Sequence, residues 1–550
     1  MISEETIPAE GASGSGGAVQ RTVPLLVIVG VSMVLSFFRL GEAPLLEPDE
    51  PRYAQAARQM RRDHDWLIPH FNGEPRLVKP PLFYWLVAAA QASFGETAWA
   101  VRLWPALSGV GLAAVTYALG VAAVGRRAAF IGGLVLATTP LVIGISRVAT
   151  PDMVQAFILT AALCAFWRLH RRGGGQWTAL FFLLLLGVNA WAKNPLIGLA
   201  LMATLAVFSA IARDWRPWRA LLTPAGVVGI VLLIGLSCGW QAFTVWREAG
   251  ALGVFKHETF ARLVSGGDHP EAPWYYVRML PLVFLPWTVF APLALLAGAK
   301  RREEGGARNG PVLLAVLLGV GFVLLTACRG KLASYLLPLL PPLALLTGRG
   351  IDLAIGEPSR RGARAALGIA LSVVLALWIC LPIGAVIFRA KLPPSVFNHL
   401  LAASIFGLVA LAAAFVAWLR RSGGVSFACV LGGVLIVYVG LLEGGASLLP
   451  GLRSSASLLA ELRPLVRPDA EVMAYKYLPT GLVYYLDRQV TLYRNTHKLG
   501  RALPADRPYL IVTRQPHLKE MEQELGIGME VVARTGTGDR DLVVVRPARQ

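Results

Sequence analysis

The chain has 550 residues, of which 55% are hydrophobic and only 15% are charged, and its mean hydropathy is +0.57. Soluble domains carry roughly 25% charged residues, so this composition excludes an ordinary soluble protein. The formal net charge is +19, which in a soluble protein would indicate nucleic-acid binding. Here the basic residues cluster in short loops between apolar runs, which is typical of cytoplasmic membrane anchors, and we expect no nucleic-acid partner.

Repeated apolar runs indicate helices that cross a bilayer, because roughly 20 apolar residues are needed to span it and every backbone group must be paired inside it. We therefore predict a polytopic α-helical membrane protein with about thirteen transmembrane helices. The predicted spans are 23–40, 97–121, 128–145, 153–169, 177–192, 195–212, 221–242, 280–299, 311–327, 333–348, 365–387, 400–418 and 425–447. Residues 1–22 are polar and rich in Gly and Ser, which predicts a disordered tail.

The short loops between the spans differ in charge, and this difference predicts the orientation of the chain. One set of loops is strongly basic: 126–127, 170–175, 213–219, 300–308, 359–364 and 420–421. The other set mixes basic residues with acids, aromatics and prolines. We therefore expect a multi-pass membrane protein with a cytoplasmic N-terminus and with the longer loops outside.

The pattern of apolar and polar residues changes after residue 450. Five short alternating segments (EVMAYK, VTLYR, YLIVTR, MEVVAR and DLVVVRP) predict strands, and SSASLLAELRPL and HLKEMEQEL predict helices. We therefore assign 23–449 to a transmembrane domain and 450–550 to a soluble α/β domain. An odd number of spans places the soluble domain on the outer side of the membrane.

The first outer loop, 41–96, concentrates acids and cations. Asp49 and Glu50 stand where a helix begins, with Pro51 at its first position and Arg52 beside them. The segment 51–62 predicts an amphipathic interfacial helix whose Arg58, Arg61 and Arg62 face headgroups. A second interfacial segment, 81–94, follows Lys79-Pro80-Pro81. These residues suit a site in which carboxylates activate an acceptor and cations bind a phosphate. Binding of anionic lipid would explain the cations equally well.

Other outer loops add polar residues to this set. Asp152 opens a spanning helix, where it either takes part in chemistry or caps the helix. Arg329, Lys331 and Tyr335 lie where a helix re-enters the membrane, and they suit either a phosphate clamp or anchors of the membrane interface. His257 and Glu258 are weak candidates for a metal site, since the loop lacks a tight ligand spacing.

Four motifs together resemble a known family: PDEPRYA and LVKPPLFYW in the first outer loop, RVATPD in the second, and KLASYLLPLLPPLALL late in the bundle. The combination is similar to bacterial polyprenyl-phosphate-sugar glycosyltransferases of the GT-C fold. The nearest pattern is that of the lipid A aminoarabinose transferases, and the protein O-mannosyltransferases are more distant. The resemblance implies an undecaprenyl-phosphate-linked sugar donor and a lipid A-like or other envelope glycan acceptor at the periplasmic face.

The resemblance also implies roles for individual residues. Asp49 matches the family's essential first-loop aspartate, and Asp152 matches its second acidic residue. Arg52, Lys79 and Tyr335 match positions that hold the phosphate of the sugar donor. We add Glu50 as a third candidate catalytic acid, and Lys331 and Arg329 as further phosphate ligands. The expected reaction is a single displacement, with inversion at the anomeric carbon.

One position departs from the aminoarabinose transferases. Those enzymes commonly carry an acid before the lysine of the KPP motif, whereas this chain has Val78. The departure leaves the sugar open and weakens a metal site, so we expect no obligatory cofactor, with a divalent cation as an open possibility. Three alternatives also stay open: a transporter or flippase for a lipid-linked substrate, a lipid-binding or scaffolding protein, and a protein O-mannosyltransferase-like enzyme.

Overall fold

The computed structural model describes residues 14–172, 175–258, 270–295, 309–356, 361–391, 393–445, 455–464, 466, 470–504, 507–535 and 541–548. The predicted basic loop 300–308 lies outside these ranges, as do residues 1–13. The first helix begins at Gly14, although a disordered tail was predicted as far as residue 22. Residues 18–22 read AVQRT and contain no helix breaker, so the helix extends beyond the apolar run.

The helices are labelled here in chain order. They are α1 Gly14–Phe37, α2 Asp49–Asp63, α3 Leu82–Phe94, α4 Ala98–Ala123, α5 Arg126–Ala137, α6 Pro140–Ser146, α7 Asp152–Arg172, α8 Gln176–Ala192, α9 Leu196–Ala212, α10 Arg216–Arg219, α11 Pro224–Arg247, α12 Ala251–Lys256, α13 Tyr275–Val283, α14 Asn309–Ala327, α15 Leu340–Gly356, α16 Arg361–Ile387, α17 Pro394–Leu419, α18 Gly423–Gly445, α19 Ala456–Leu462, α20 Thr480–Leu486, α21 Thr496–Ala502 and α22 Gln515–Leu525. Short 3-10 helices cover Ala220–Leu222, Trp287–Val289, Ala291–Leu293, Ala333–Leu339 and Arg389–Lys391.

The described residues form a multi-span helical membrane protein. Eight helices are long and apolar enough to cross a bilayer, and the number rises to ten if each of two bent helix pairs is one span. Shorter apolar helices at Thr22–Phe37, Gln176–Ala192 and Leu196–Ala212 coincide with three further predicted spans.

Both bent pairs break at prolines, which the hydropathy pattern did not reveal. The first pair, α5 and α6, meets at 57°. Pro140 has no N–H to donate within the helix. The hydroxyls of Thr138 and Thr139 donate to backbone carbonyls one turn back, and the regular helix is interrupted at this point. The second pair, α13 and the 3-10 turns at 287–293, is bent by 108° around Pro281 and Pro286.

The C-terminal segment contains a five-stranded sheet. Its strands are β3 Glu471–Tyr475, β4 Thr491–Tyr493, β5 Tyr509–Arg514, β6 Met529–Arg534 and β7 Leu542–Pro547. Their order is β4-β3-β5-β7-β6, with β3 parallel to β4 and β5, and with β7 antiparallel to β5 and β6. Each of the five predicted strand segments therefore forms a strand. We call residues 455–548 the C-terminal domain.

The C-terminal domain docks on the segment that connects α1 and α4. A hairpin of β1 His70–Phe71 and β2 Glu74–Pro75 turns at Asn72-Gly73, both with positive φ, as a two-residue hairpin loop requires. The amide of Asn72 donates to the carbonyl of Val490 at 2.9 Å and accepts from its N–H at 2.8 Å. We call the end of the helix bundle that carries this segment the loop face.

Helix α2 does not lie among lipid headgroups in the predicted way. Arg58 is only 6% exposed and forms ion pairs with Glu96 at 2.7 Å and with Asp487 of the C-terminal domain at 3.2 Å. Its guanidinium also stacks 4.2 Å from the ring centroid of Tyr484. Arg62 pairs with the same Asp487 at 2.7 Å. The prediction failed for these two arginines because their shared partner Asp487 lies far away in the sequence, 425 residues from Arg62 and 429 from Arg58.

Candidate active site

Asp49 begins helix α2 at the loop face, and its carboxylate is open to solvent. The side chain is 52% exposed, and its nearest cation is Arg52, with 3.9 Å between guanidinium and carboxylate. The acid and the cation lie on one helical turn, as the spacing of three residues predicts. Asp49 is therefore free to receive a substrate hydroxyl.

Glu50 has a different environment, and the predicted catalytic role does not fit it. The residue is fully buried, and both its oxygens are taken by the guanidinium of Arg102, at 2.8 and 2.6 Å. The same carboxylate accepts the backbone N–H of Leu46 at 2.7 Å and that of Ala149, in the second outer loop, at 2.7 Å. Arg102 uses its remaining N–H groups on the carbonyls of Leu40, Ala43 and Pro44. Glu50 thus ties the loop of Asp49 to the loop that precedes Asp152.

Glu47 holds the same segment from the opposite side. Its carboxylate accepts hydrogen bonds from the hydroxyls of Ser455 and Tyr477 and from the N–H of Gly481, all in the C-terminal domain. The hydroxyl of Thr480 donates to the carbonyl of Pro48 at 2.9 Å. Sequence reasoning missed this role, since nothing in the local pattern distinguishes Glu47 from its acidic neighbours.

Arg76 is a second cation beside Asp49 that sequence reasoning missed. Its guanidinium donates to the phenol oxygen of Tyr84 at 3.1 Å and lies 5.6 Å from the ring centroid of Tyr53. Burial lowers the pKa of Arg52, and the nearby charge of Arg76 lowers it further, against the opposing charge of Asp49. The two arginines therefore face one space. The proximity of Arg52 and Arg76 was not predicted, because Arg76 follows the β1–β2 hairpin and the sequence of a turn does not show the direction of the chain after it.

Asp152 forms a polar cluster at the start of α7. Its carboxylate accepts from the ammonium of Lys193 at 2.8 Å and from the hydroxyl of Ser334. The Lys193 ammonium also lies 4.6 Å from the ring centroid of Tyr335. Helix α8 ends just before Lys193, and the side chain of Lys193 extends from there to Asp152 at the start of α7. Asp152 therefore fixes Lys193 beside Tyr335.

Lys79 lies at the edge of this cluster and pairs with Glu258 at 3.1 Å, with both side chains largely buried. The candidate metal ligand Glu258 is thus an ion-pair partner of Lys79. His257 is exposed. Within the described part of the chain, no three His, Cys, Asp or Glu side chains come together as metal ligands.

Arg329 and Lys331 do not form the predicted clamp with Tyr335. The 3-10 helix of Tyr335 begins at Ala333, so Lys331 precedes it, and the Lys331 ammonium donates back to the carbonyl of Cys328. Arg329 and Lys331 line a cavity of about 820 Å³ together with Pro270, Glu271, Pro273, Phe322, Val323, Thr326 and Ala327. None of the other predicted site residues lines this cavity.

The remaining predicted residues share one site. Burial raises the pKa of the Tyr53 phenol well above its usual value, and the negative charges of Asp49 and Asp152 add to this shift, so Tyr53 lies within reach of both acids. Lys79 is close enough to Asp152 to interact with its charge. The structure therefore places Asp49, Arg52, Asp152, Lys79 and Tyr335 near one another at the loop face, with Arg76 and Lys193 among them, and we call this group of residues the pocket.

Comparison with known proteins places this pocket in a family context. The family model for dolichyl-phosphate-mannose-protein mannosyltransferase matches residues 39–296. Undecaprenyl phosphate-alpha-4-amino-4-deoxy-L-arabinose arabinosyl transferase 2 of Pseudomonas fluorescens (strain Pf0-1) is 31% identical over 412 residues, which cover 70% of this chain and 69% of the relative. The corresponding transferase of Aeromonas salmonicida (strain A449) is 33% identical over 325 residues, 57% of each chain. The chain thus matches between about half and somewhat over two thirds of the length of these relatives.

A solved structure shares the fold over nearly the whole chain. The crystal structure of ArnT from Cupriavidus metallidurans bound to undecaprenyl phosphate aligns with a TM-score of 0.79 at 21% sequence identity. The alignment covers 97% of this chain and 98% of that one. The apo structure of the same protein aligns with a TM-score of 0.77. The membrane bundle and the C-terminal sheet therefore belong to one shared architecture.

Proposed function

The chain belongs to the family of undecaprenyl phosphate-α-4-amino-4-deoxy-L-arabinose arabinosyl transferases, and we propose that it transfers a sugar from an undecaprenyl-phosphate-linked donor to a lipid A-like acceptor. The observation that carries this proposal is the convergence of one open carboxylate, Asp49, with the cations Arg52, Lys79 and Lys193 at the loop face. A phosphate-linked sugar needs this combination, because its leaving group is an anion and its acceptor is a hydroxyl.

In the proposed reaction, the acceptor oxygen attacks the anomeric carbon as the bond to the phosphate oxygen breaks. The new C–O bond forms on the opposite face of the sugar, so the configuration inverts. The electron pair of the broken bond leaves with the polyprenyl phosphate, whose charge Arg52, Lys79 and Tyr335 stabilise. Asp49 takes the proton of an acceptor hydroxyl; an acceptor phosphate is already ionised, and Asp49 then orients it. The proposed role of Asp152 is to hold Lys193 toward the phosphate.

The proposed topology puts the loop face in the periplasm. Arg39, after α1, pairs with Glu443, at the end of α18, so the C-terminal ends of the first and the last span lie on one face. This supports an odd number of spans. If each bent pair and each of the three shorter apolar helices is also one span, the total is the thirteen that we propose. The strongly basic loops then lie in the cytoplasm together with the N-terminus, and the C-terminal domain is periplasmic.

The transporter alternative and the proposed function predict charged residues at different depths in the membrane. A transporter places ionisable residues near the bilayer midplane, whereas here the charged groups of the pocket gather at one face. A protein O-mannosyltransferase-like enzyme has one specific observation in its favour, the family match over residues 39–296. Such an enzyme would glycosylate a protein, so acceptor choice separates it from the lipid-modifying enzyme.

Sugar transfer by the purified protein tests the proposal. We expect the wild type to move sugar from a polyprenyl-phosphate donor to lipid A and not to an unstructured Ser/Thr-rich peptide. The variant Asp49→Asn should lose at least 100-fold in kcat while it still binds undecaprenyl phosphate, since the change removes one charge and keeps the shape. Arg247→Gln, which breaks an exposed ion pair with Asp65 on the same face, is the control. Full activity in well-folded Asp49→Asn would reject the mechanism.

We further propose that the reaction needs no divalent cation. The ammonium of Lys79 already occupies the carboxylate of Glu258, and the cations of the pocket are protein side chains. Addition of EDTA should therefore leave the transfer rate within about twofold of the untreated enzyme. A loss of activity that Mg²⁺, Mn²⁺ or Zn²⁺ restores would contradict this.

A further inference from the structure

The sheet of the C-terminal domain has a topological switch point. Strand β3 lies between β4 and β5, the next two strands in the sequence, and it is parallel to both. The chain therefore leaves β3 on one side to form β4, and then crosses β3 to form β5 on the other side. In open α/β sheets, ligands bind outside the carboxyl ends of the strands at such a point, which here lies between β3 and β5.

Two side chains lie against each other at this switch point. Tyr477 lies just beyond the carboxyl end of β3, and Arg514 is the last residue of β5. The guanidinium of Arg514 is 3.9 Å from the ring centroid of Tyr477. A contact between a cation and an aromatic face fixes the position of the guanidinium without neutralising its charge.

The charge of Arg514 has no ion-pair partner in the described part of the chain. Its buried Nε–H finds no hydrogen-bond acceptor there. Glu47 accepts a hydrogen bond from the hydroxyl of Tyr477 at 3.3 Å and keeps its negative charge, but it forms no ion pair with Arg514. Arg546 on β7, by contrast, pairs with Glu530 at 2.9 Å. Arg514 therefore has N–H donors left for an anionic ligand.

Tyr477 links this arginine to the pocket. It is close enough to Arg52 for the two side chains to interact electrostatically, and its hydroxyl donates to Glu47. Burial raises the pKa of the Tyr477 phenol and the charge of Glu47 raises it further, whereas Arg514 acts against both. Arg514 is therefore at the border of the pocket, on the side that the C-terminal domain forms.

The chemistry of the proposed acceptor fits this position. A lipid A-like acceptor is a phosphorylated glycolipid, and only the group that receives the sugar has to reach Asp49. The rest of its headgroup extends beyond the pocket, where Arg514 lies. The fork of N–H donors on an arginine matches the oxygens of a phosphate, and such charge-assisted hydrogen bonds are strong. The proposed reaction places the donor phosphate at Arg52, Lys79 and Tyr335, so a phosphate at the switch point belongs to the acceptor.

We propose that Arg514 binds a phosphate group of the acceptor headgroup, and that the C-terminal domain thereby holds the acceptor beside Asp49. This inference rests on the proposed function, because it assumes a phosphorylated glycolipid as the acceptor. No bond is made or broken at Arg514, so its role is to bind the substrate. The C-terminal domain then contributes to substrate binding as well as to the position of Glu47.

Binding of labelled lipid A to the full-length protein tests this inference. The measurement is made in a neutral detergent, with and without phosphatidylglycerol, and displacement of labelled undecaprenyl phosphate is measured beside it. Arg514→Gln should weaken lipid A binding about tenfold, because it removes hydrogen bonds to a charged group. Binding of undecaprenyl phosphate should stay at the wild-type level, which also shows that the variant is folded. Arg514→Lys keeps the charge and should lose less, and Arg546→Gln, in the same domain, is the control.

Removal of single phosphates from the acceptor separates a direct contact from a structural role. The two monophosphorylated forms of lipid A each lack one phosphate, and the wild type should bind one of them about tenfold more weakly than lipid A. With that form, Arg514→Gln should cost about threefold or less, because the contact is already absent. A structural effect that passes through Tyr477 to Glu47 would be equal for all three acceptors and would overturn the inference.

Other results of the same experiment would also overturn the inference. These are a wild type that does not bind lipid A or binds all three forms equally, unchanged lipid A binding in Arg514→Gln, and an equal loss of undecaprenyl phosphate binding. A loss seen only when phosphatidylglycerol is present would assign the contact to bulk membrane lipid and would overturn it too. Lipid A binding that depends on Arg514, in a wild type that transfers no sugar, would instead count against the proposed function and leave the acceptor contact standing.

Discussion

At the scale of single residues, the four-residue stretch Glu47-Pro48-Asp49-Glu50 contains three acids with three different environments. Asp49 is half-exposed, Glu50 is fully buried against Arg102, and Glu47 is held by the C-terminal domain. Burial and hydrogen bonding decide what a carboxylate can do, because an acid whose oxygens are all engaged cannot accept a proton from substrate. One acid is therefore available for chemistry, and two hold it in place.

Loss of Glu50 should destabilise the protein rather than affect chemistry alone. Glu50→Ala leaves the guanidinium of Arg102 buried without its charge partner and frees two backbone N–H groups. Breaking a buried ion pair on one side costs about 3–5 kcal/mol, so we expect a clear drop in thermal stability in detergent. Asp49→Asn, one position away, should melt like the wild type. A Glu50→Ala protein of normal stability that is merely inactive would restore the catalytic role first predicted for Glu50.

Loss of Glu47 should act on the position of Asp49. Glu47→Gln weakens the hydrogen bonds to Ser455, Tyr477 and Gly481 without changing size, and small displacements of a catalytic group cost up to about 100-fold in rate. We expect kcat to fall 10-fold or more, while KM for the sugar donor changes little, since Arg52 and Lys79 are untouched. Thr480→Val, which removes only the bond to the Pro48 carbonyl, should have a smaller effect of the same kind. A rise in KM with unchanged kcat would argue against this role.

At the scale of elements, helix α2 connects the membrane bundle to the C-terminal domain. One face carries Tyr53, Ala57 and Met60 and packs on α3, and another presents Arg58 and Arg62 to Asp487. The helix that begins with Asp49, the proposed catalytic carboxylate, is thus fixed on two sides. This arrangement gives the C-terminal domain a direct mechanical link to Asp49.

The link between α2 and the C-terminal domain should weaken at low pH. The hydrogen bond from Arg62 lowers the pKa of Asp487 below its ordinary 3.8, and the charge of Arg58 lowers it further. The contribution of this carboxylate is therefore complete above the ordinary pKa and is lost as the pH falls through the lowered one. Because Asp487 and Arg62 are partly exposed, the contribution is about 1 kcal/mol or less. Wild type should exceed Asp487→Asn in melting temperature at pH 7, and the difference should shrink progressively as the pH falls below 3.8; a difference that stays constant over this range would contradict this origin.

The elements also show what the sequence could and could not predict. Spans and strands were predicted because lipid and sheet geometry impose a length and a period that any single segment displays. The break at Thr138-Thr139-Pro140 was missed because the run is apolar on both sides. The surroundings of Arg58, Arg76 and Glu47 were missed for another reason: each depends on a partner or a chain direction that lies beyond the local pattern. The motifs located the pocket, and tertiary contacts assigned the roles within it.

At the scale of the whole molecule, the pocket is assembled from segments that are distant in the chain. The first loop contributes Asp49 and Lys79, the starts and ends of spanning helices contribute Asp152 and Lys193, and the C-terminal domain closes over the loop through Tyr477. An assembly of this kind requires all of these segments on one side of the membrane. The orientation of the C-terminal domain is therefore part of the mechanism.

Accessibility of introduced cysteines tests that orientation. Lys498 is exposed on the C-terminal domain, and Arg219 is exposed in the basic loop between α9 and α11. In spheroplasts, a membrane-impermeant maleimide should label Lys498→Cys without lysis, whereas Arg219→Cys should react only after the membrane is opened, because the proposed topology puts these residues on opposite sides. The unsubstituted protein, with its five cysteines, gives the background. Labelling of Arg219→Cys but not of Lys498→Cys in intact spheroplasts would put the pocket in the cytoplasm and would remove the periplasmic acceptor from the proposal.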